Sequence, residues 1–325
     1  MDLVTAPPRS PASGVLRLIS GETALRRWAI ASLVANIAIV VTGGVVRLTA
    51  SGLGCPTWPR CTEDAYIAHP ALGLHGAIEF GNRLLTFVLI VIAVLTWVTA
   101  MRSRRVSPPR RGVRRVATAM ALGIPAQGVI GGITVLTQLN PFVVALHFLL
   151  SMVLITLAVW LVRAAYRVNR EPVRPLTATV VTFTFVAMWV AVWLGTMTTG
   201  SGPHAGDLDA RRTGWDIVVI AHVHAFAVYA TMAGTVVTLW LARSRAVVIL
   251  LGVEVIQAAI GLTQYHLGLP IGLVGLHLLG AALSIAAVAN LRFSVRAVQP
   301  IRGGKQPAMP PQTMFCDVRR FKIIV

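Results

Sequence analysis

Two histidines stand at the end of the same short pattern. Gln127 precedes His147 by 20 residues, and Gln257 precedes His277 by 20 residues. In each copy an Ile-Gly pair begins three residues after the glutamine, and the two histidines are 130 residues apart. Polar side chains are costly in lipid, so a polar residue that recurs within apolar segments predicts a ligand-binding site.

The sequence around these histidines is typical of a membrane protein, since 56% of it is hydrophobic and 12% is charged. Eight apolar runs are long enough to cross a hydrocarbon core of about 30 Å, which takes about 20 helical residues. These runs are residues 28–49, 73–101, 116–136, 142–162, 176–197, 217–241, 246–264 and 271–291. We therefore predict an all-α polytopic membrane protein with eight transmembrane helices.

The net charge of +18 follows this predicted topology, because 24 of the 29 basic residues fall on the side that holds both termini. The five on the opposite side are Arg47, Arg60, Arg83, Arg211 and Arg212. This is the positive-inside asymmetry of membrane proteins. We expect a multi-pass protein of the cytoplasmic membrane with both termini in the cytoplasm, and no binding of nucleic acid.

A second repeat indicates a duplication, because Ser51-Gly52 recurs as Ser201-Gly202 at an offset of 150 residues. Together the repeats predict two parallel-repeat four-helix bundles, related by an axis along the membrane normal. The predicted division is 1–27 as a cytoplasmic segment, 28–165 as the N-terminal half, 176–293 as the C-terminal half and 297–325 as a disordered cytoplasmic tail.

The second helix of each half carries polar residues near the depth of the repeated histidines. Aligning these helices at their outer ends places His224 against Asn82. At 1.5 Å per residue, His147, His224 and His277 then lie about 8 to 12 Å inside the outer helix ends. Two histidines on facing helices of a four-helix bundle can fill both axial positions of a heme iron, so His224 and His277 form a candidate heme site.

Other interpretations of the C-terminal half stay open. The pair could be two buried histidines that hydrogen bond to the backbone or to each other. Zinc or copper would want a third or fourth ligand nearby, and this half has none. His222 is the alternative to His224 as the second ligand.

The N-terminal half has Asn82 where the other half has a histidine. An amide is a poor iron ligand, so iron bound by His147 would keep an open or water-filled position unless His75 reaches it. His75 shares a helical face with Asn82 but lies about 10 Å nearer the surface. An open site suits chemistry and a closed site suits electron transfer, so the two halves are expected to differ in role.

Glu79 strengthens this difference between the halves, because its counterpart in the second half is Ala221. A carboxyl group near the membrane interior can accept or donate a proton beside a reacting group. The alternative is a structural ion pair with Arg83 or Arg47. Both arginines lie on the outer side of the histidines and are candidates to pair with heme propionates; for Arg47, simple snorkelling is the alternative.

The first outer loop contains Cys55 and Cys61, with five residues between them. In an oxidising compartment such a pair can close a small loop as a disulfide. Two free thiols or a metal-binding pair are the alternatives.

Over most of residues 28–293 the sequence resembles the heme A synthase family. The resemblance rests on the two Gln-to-His copies, the Glu-Phe-Gly-Asn-Arg stretch from Glu79, and the stretch from Gly43 that reads Gly-Gly-Val-Val-Arg-Leu-Thr-Ala-Ser-Gly-Leu-Gly-Cys-Pro-Thr-Trp-Pro-Arg-Cys. It implies oxidation of a peripheral methyl of heme O to the formyl of heme A by successive hydroxylations, for cytochrome oxidase biogenesis.

The resemblance also implies residue roles. Glu79 would be the catalytic acid and His147 the ligand of the substrate heme, while His224 and His277 would hold heme b. Cys55 and Cys61 match the family's loop disulfide. Two features depart from the family pattern: Asn replaces His at position 82, and the loop around Pro203 has no cysteine pair.

The expected partners are heme O, a heme O synthase, an electron acceptor that the residues do not identify, and the lipid bilayer. The expected heme layer lies near the outer face of the membrane. A membrane diheme b-type electron-transfer cytochrome is the alternative function, since it would use the histidines without needing Glu79. A transporter with parallel repeats is a third class.

Overall fold

Long apolar segments without water to bond their backbone must satisfy their N–H and C=O groups internally, and helices do this. The computed structural model describes residues 19–103 and 111–298, and this part contains eight helices long and apolar enough to span a membrane. They are α1 Glu22–Leu48, α2 Gly73–Arg102, α3 Arg111–Leu136, α4 Pro141–Ala165, α5 Pro175–Ser201, α6 Ile217–Leu241, α7 Arg245–His266 and α8 Ile271–Ser294. The prediction of eight transmembrane helices is confirmed.

Two helices begin earlier than the apolar runs predicted. Helix α1 begins at Glu22, within the predicted cytoplasmic segment, and α3 begins at Arg111. Charged residues can continue a helix beyond the hydrocarbon core, so hydropathy alone misses these turns. Glu22 lies 3.5 Å from Arg26 and also pairs with Arg167 beyond the end of α4, which stabilises the added turn. Residues 1–18 of that segment and residues 299–325 of the predicted tail lie outside the described residues.

The first four helices pack together. Helices α1 and α3 each contact both α2 and α4, which closes a four-helix bundle. Its core is made of buried aliphatic and methionine side chains; the largest fully buried ones are Leu25, Met120 and Leu161.

The last four helices also pack together, with α5 against α6 and α8, and α7 against α6 and α8. Helix α8 contacts α1 and α4, so the second core is shared between the halves. Met152 and Ile155 of α4 pack in the same cluster as Leu250 and Ile285. The duplication that would relate the two bundles stays a prediction.

A short sheet was not predicted. Strand β1, Glu171–Val173, pairs in parallel with strand β2, Val295–Ala297. Strand β1 lies between α4 and α5, and strand β2 follows α8. The two strands can meet because α4 and α8 end at the same end of the protein. Three-residue strands carry no periodic signal, and β2 includes Ala297, the first residue of the predicted tail. The all-α prediction therefore needs this addition.

The charge asymmetry predicts a topology that reporter fusions can test. Alkaline phosphatase fused within residues 171–174 should be inactive, because the connection that contains them also carries Arg167 and Arg170 and should stay in the cytoplasm. The same enzyme fused at Gly206, in the loop between α5 and α6, should be active. A green fluorescent protein fused at the two positions should give the opposite pattern. Active phosphatase at both positions would contradict the predicted orientation.

Candidate functional site

The even-numbered helices begin at the same end of the protein, and four predicted site residues lie close to those beginnings. Glu79, His147 and His277 each lie six residues after the first residue of their helix, and His224 lies seven residues after it. At 1.5 Å per residue these positions are about 9 to 10 Å inside the helix ends. The fold therefore brings the four residues to a similar depth.

The histidines of the second half form a close pair. The ring centres of His224 and His277 are 6.5 Å apart and their planes are inclined by 80°. An imidazole–metal–imidazole unit with bonds of about 2 Å places its ring centres roughly 6 Å apart. The donor set and its spacing therefore fit an iron between the two rings.

A backbone contact fixes the tautomer of His224. Its Nδ1 donates a hydrogen bond to the carbonyl oxygen of Ala191, at 2.8 Å, so Nε2 carries the lone pair of a neutral ring. His222 instead is exposed, and its Nδ1 donates to Val218 O on its own helix at 2.7 Å. Its ring faces Tyr265. Of the two histidines of α6, only His224 shares a ring contact with His277.

Three histidines, His147, His224 and His277, which we call the layer histidines, each pack against a glycine of the preceding helix. A Cβ placed at any of these glycines would lie close to the Cε1 atom of the ring. The pairs are Gly131 with His147 at 3.3 Å, Gly195 with His224 at 3.2 Å and Gly261 with His277 at 3.0 Å. Nine in ten real Cβ contacts are longer than 3.4 Å. A side chain at these positions would therefore press on the ring.

The repeated glutamines have a shared structural role. Gln127 Nε2 donates to the carbonyl oxygen of His147 at 3.0 Å, and Gln257 Nε2 donates to that of His277 at 2.9 Å. Gln127 Nε2 also donates to Ser151 Oγ at 2.6 Å. Each glutamine thus fastens the helix that carries the histidine, at the histidine itself. The spacing in the sequence predicted a repeated site but not this contact.

Two ring nitrogens in the layer lack partners. Within the described part of the chain, the buried Nδ1 atoms of His147 and His277 have no hydrogen-bond partner. Most buried polar atoms in proteins have one. These nitrogens are thus the kind of orphaned atom expected where a ligand or an ordered water completes a site.

The first half places an amide near His147. A Cβ placed at Gly128 would lie 3.7 Å from the Thr86 side chain, so Asn82, one turn earlier, is level with Gly132. Gly132 adjoins the glycine that contacts the His147 ring. The Oδ1 atom of Asn82 is buried and has no partner among the described residues.

A glycine of α1 lies near the level of Asn82. A hydrogen bond from Thr96 Oγ1 to Trp28 O fixes how α1 and α2 align, and it puts Gly43 near the level of Asn82. A Cβ placed at Gly43 would have no atom within 4 Å, whereas Gly195 of the second half meets a ring. His75 does not fill this level, because it is exposed and bonds to Ser51 Oγ at 3.0 Å in the outer loop.

Glu79 is buried and held at both oxygens. Its Oε2 accepts the backbone N–H of Cys55 at 2.6 Å, and its Oε1 accepts from Arg83 Nη2 at 2.5 Å. Arg83 also donates to the carbonyl oxygens of Cys55 and Thr57 at 2.9 and 3.0 Å. The ion pair that was the alternative for Glu79 thus forms with Arg83, and this pair fastens the outer loop to α2.

Arg47, a predicted propionate contact, bonds to the second half. Its Nε donates to His204 O at 2.6 Å and its Nη2 to Thr199 O at 3.0 Å. Next to it, Gly52 N–H donates to Gly206 O at 2.8 Å. Arg47 therefore joins the outer loops of the two halves, and a role of Arg47 or Arg83 at propionates stays a prediction.

The disulfide Cys55–Cys61 is present, which confirms that prediction. Its loop carries Trp58, whose ring lies so close to Gly132 that a Cβ there would come within 2.3 Å of it. Trp58 thus lies over the first-half layer, a role that sequence reasoning missed. The only indication of this role in the sequence was that Trp58 lies between Cys55 and Cys61.

Eight helices that can span a membrane define a multi-pass membrane protein, and its second half holds a close histidine pair. The family model described as COX15-CtaA, cytochrome oxidase assembly protein, matches residues 26–71 and 74–207. The chain therefore belongs to this family, as its resemblance predicted.

Curated relatives with the name heme A synthase also match. The chain is 25% identical to that of Rhizorhabdus wittichii over 82% of this chain and 92% of the relative. It is 30% identical to that of Symbiobacterium thermophilum over 53% of this chain and 58% of the relative. It is 29% identical to that of Geobacillus kaustophilus over 42% of this chain and 41% of the relative. The chain thus spans about half the length of the last two proteins.

The disulfide can be tested directly in purified protein. Mass spectrometry of a non-reduced digest should recover Cys55 and Cys61 in one linked peptide, because the loop is expected in an oxidising compartment. Reduction before digestion should release both as alkylated peptides and serves as the control. Complete alkylation of both thiols without reduction would contradict the assignment.

Proposed function

We propose that this chain is a heme A synthase, which oxidises a peripheral methyl of heme O to the formyl of heme A by successive hydroxylations, for cytochrome oxidase biogenesis. Family membership and the names of the relatives support the activity. The observation that carries the proposal is that the two halves place different polar residues at the same depth. One half has a close histidine pair, and the other has one histidine, an amide and a buried acid.

The second half is the proposed heme b site, in which His224 and His277 would hold the iron. The 6.5 Å ring separation and the Ala191 contact that frees His224 Nε2 support this assignment. A heme with both axial positions filled by imidazole supplies one-electron transfer and has no open position for oxygen chemistry. The protein's own part is to hold both rings, through Gly195, Gly261 and the bond from Gln257.

The first half is the proposed substrate site. His147 would bind the iron of heme O, and Asn82 would leave the opposite side open. Glu79 would accept or supply a proton at the reacting methyl group. The disulfide loop would place Trp58 over the site and hold Glu79 through the Cys55 N–H, so that the acid keeps one position and water is excluded.

The proposal extends to the surroundings of the enzyme. Heme O would come from a heme O synthase, and electrons from its oxidation would pass through the second half to a separate acceptor. Both termini would lie in the cytoplasm, with the heme layer near the outer face.

The variant Glu79→Gln tests the proposed acid. Glutamine keeps an oxygen that can accept from Arg83 or the Cys55 N–H but cannot take up a proton in the same way. We expect the purified variant to retain bound heme while heme A formation falls by about 100-fold or more, the usual contribution of a general acid or base. Pigment extraction followed by chromatography measures both quantities.

Glu63→Gln is the matched control, since Glu63 is an exposed acid near the same loop. It should leave heme A formation unchanged. Normal heme A output from Glu79→Gln would show that Glu79 is not the proton donor or acceptor, whereas a wild type that binds heme but forms no heme A would favour the diheme cytochrome. Loss of all bound heme would assign Glu79 to the structural ion pair with Arg83.

The second-half ligands can be tested through the glycine that supports them. Gly261→Val should push on His277, at a cost of about 1 to 3 kcal/mol for overpacking, and should abolish the low-spin bis-histidine spectrum. His277→Ala should have the same spectral effect by removing the ligand. Gly252→Val on the same helix is the control, because a Cβ there has open space. An intact spectrum in His277→Ala would show that another residue binds the iron.

A further inference from the structure

A second buried acid lies in the middle of the C-terminal bundle. Glu254 of α7 is 4% exposed, and its Oε1 accepts a hydrogen bond from Thr235 Oγ1 at 2.9 Å. Its Oε2 is buried without a hydrogen-bond partner, and no ion pair within the described residues includes it. A charge in such surroundings is costly unless another charge compensates it.

Glu254 faces a cavity of about 40 Å³ between α5, α6, α7 and α8, whose surface is mostly apolar. Gln257 and Ser284 also line it, and Gln257 Oε1 and Ser284 Oγ are further buried oxygens without partners among the described residues. A cavity needs about 10 to 15 Å³ to hold one water molecule. There is thus room for more than one water beside residues that carry three oxygens without partners.

The cavity is connected to both ligands of the proposed heme b site. Gln257, on its wall, donates to His277 O at 2.9 Å. Ala191, also on its wall, accepts from His224 Nδ1 at 2.8 Å. Glu254 is the only titratable residue that lines the cavity, and the residues from α5, α6 and α8 that face it are uncharged. Beyond them, His224 and His277 are the titratable groups of α6 and α8 on the side of the ligand layer.

Buried hydroxyl groups of α6 lie on both sides of the level of Glu254. Thr231, Thr235 and Thr238 of α6 are each at most 1% exposed, and Thr238 lies three residues before the end of α6 at Leu241. Glu254 itself is nine residues into α7, about 13 Å from its start. Each of the three hydroxyls donates to a carbonyl oxygen one turn earlier on α6, and Thr235 alone of them also bonds to Glu254.

We propose that this cavity is a proton-binding site, in which Glu254 and ordered water take up one proton when the iron held by His224 and His277 gains one electron. The inference rests on the proposed function for that iron. A ferric bis-imidazole heme core carries one net positive charge, which compensates the Glu254 carboxylate. The ferrous core is neutral, so the added electron is balanced by a proton that converts the carboxylate to a carboxylic acid.

Redox titration of the purified holoprotein at a series of pH values tests the proposal. For the wild type, each tenfold fall in proton concentration should lower the midpoint potential of the bis-histidine heme by up to about 59 mV, the one-electron equivalent of a factor of ten. Glu254→Gln should remove most of this slope with the heme still bound. Glu254→Asp, which keeps a carboxyl group, should retain it, and Glu63→Gln should match the wild type.

Infrared difference spectra of the same samples provide a second readout. Reduction should produce a protonated-carboxyl C=O band in the wild type that is absent in Glu254→Gln. Thr235→Val, which removes only the bond to Oε1, should shift this band. This variant replaces Glu254→Gln as the test if Glu254→Gln does not fold. A bound bis-histidine heme whose potential and spectrum do not respond to Glu254 would overturn this inference and leave the synthase proposal intact. A wild type without such a heme would overturn both.

Discussion

Inside a bilayer a polar group can bond only to other groups of the protein, and this constraint governs the interior of both bundles. Glu79, Glu254 and the two repeated glutamines each bond to another part of the protein through at least one atom, while the Nδ1 atoms of His147 and His277 have no partner among the described residues. Gln127 and Gln257 bond to the backbone of the neighbouring helix at a histidine. The polar residues therefore position one another, and the atoms left without partners mark where a ligand or water belongs.

Glycines of the neighbouring helices leave the space that the three histidine rings occupy. Each of the three histidines lies against a glycine of the preceding helix. Gly43 at the corresponding level of the first half meets nothing, and Asn82 lies there instead of an imidazole. The two bundles thus also differ in their glycines, because α1 of the first half has one without a neighbour where α5 of the second half has one against an imidazole.

The sequence predicted the helices and the depth of the layer well, because apolar run lengths and the positions of Glu79, His147 and His277 along them depend on local chemistry. It could not predict contacts that depend on how distant segments meet. Neither the Ala191 carbonyl that bonds to His224 nor the strand pair after α4 and α8 has a local signal. The start of α1 was placed too late because hydropathy ignores a charged first turn.

The interface between the halves is fastened at both ends. At the outer end Arg47 bonds to the carbonyl oxygens of His204 and Thr199, and at the other end Arg163 bonds to Asn290 near the strand pair. Rocking of one half against the other, the movement that many repeat-built transporters use, would break charged hydrogen bonds at one end or the other.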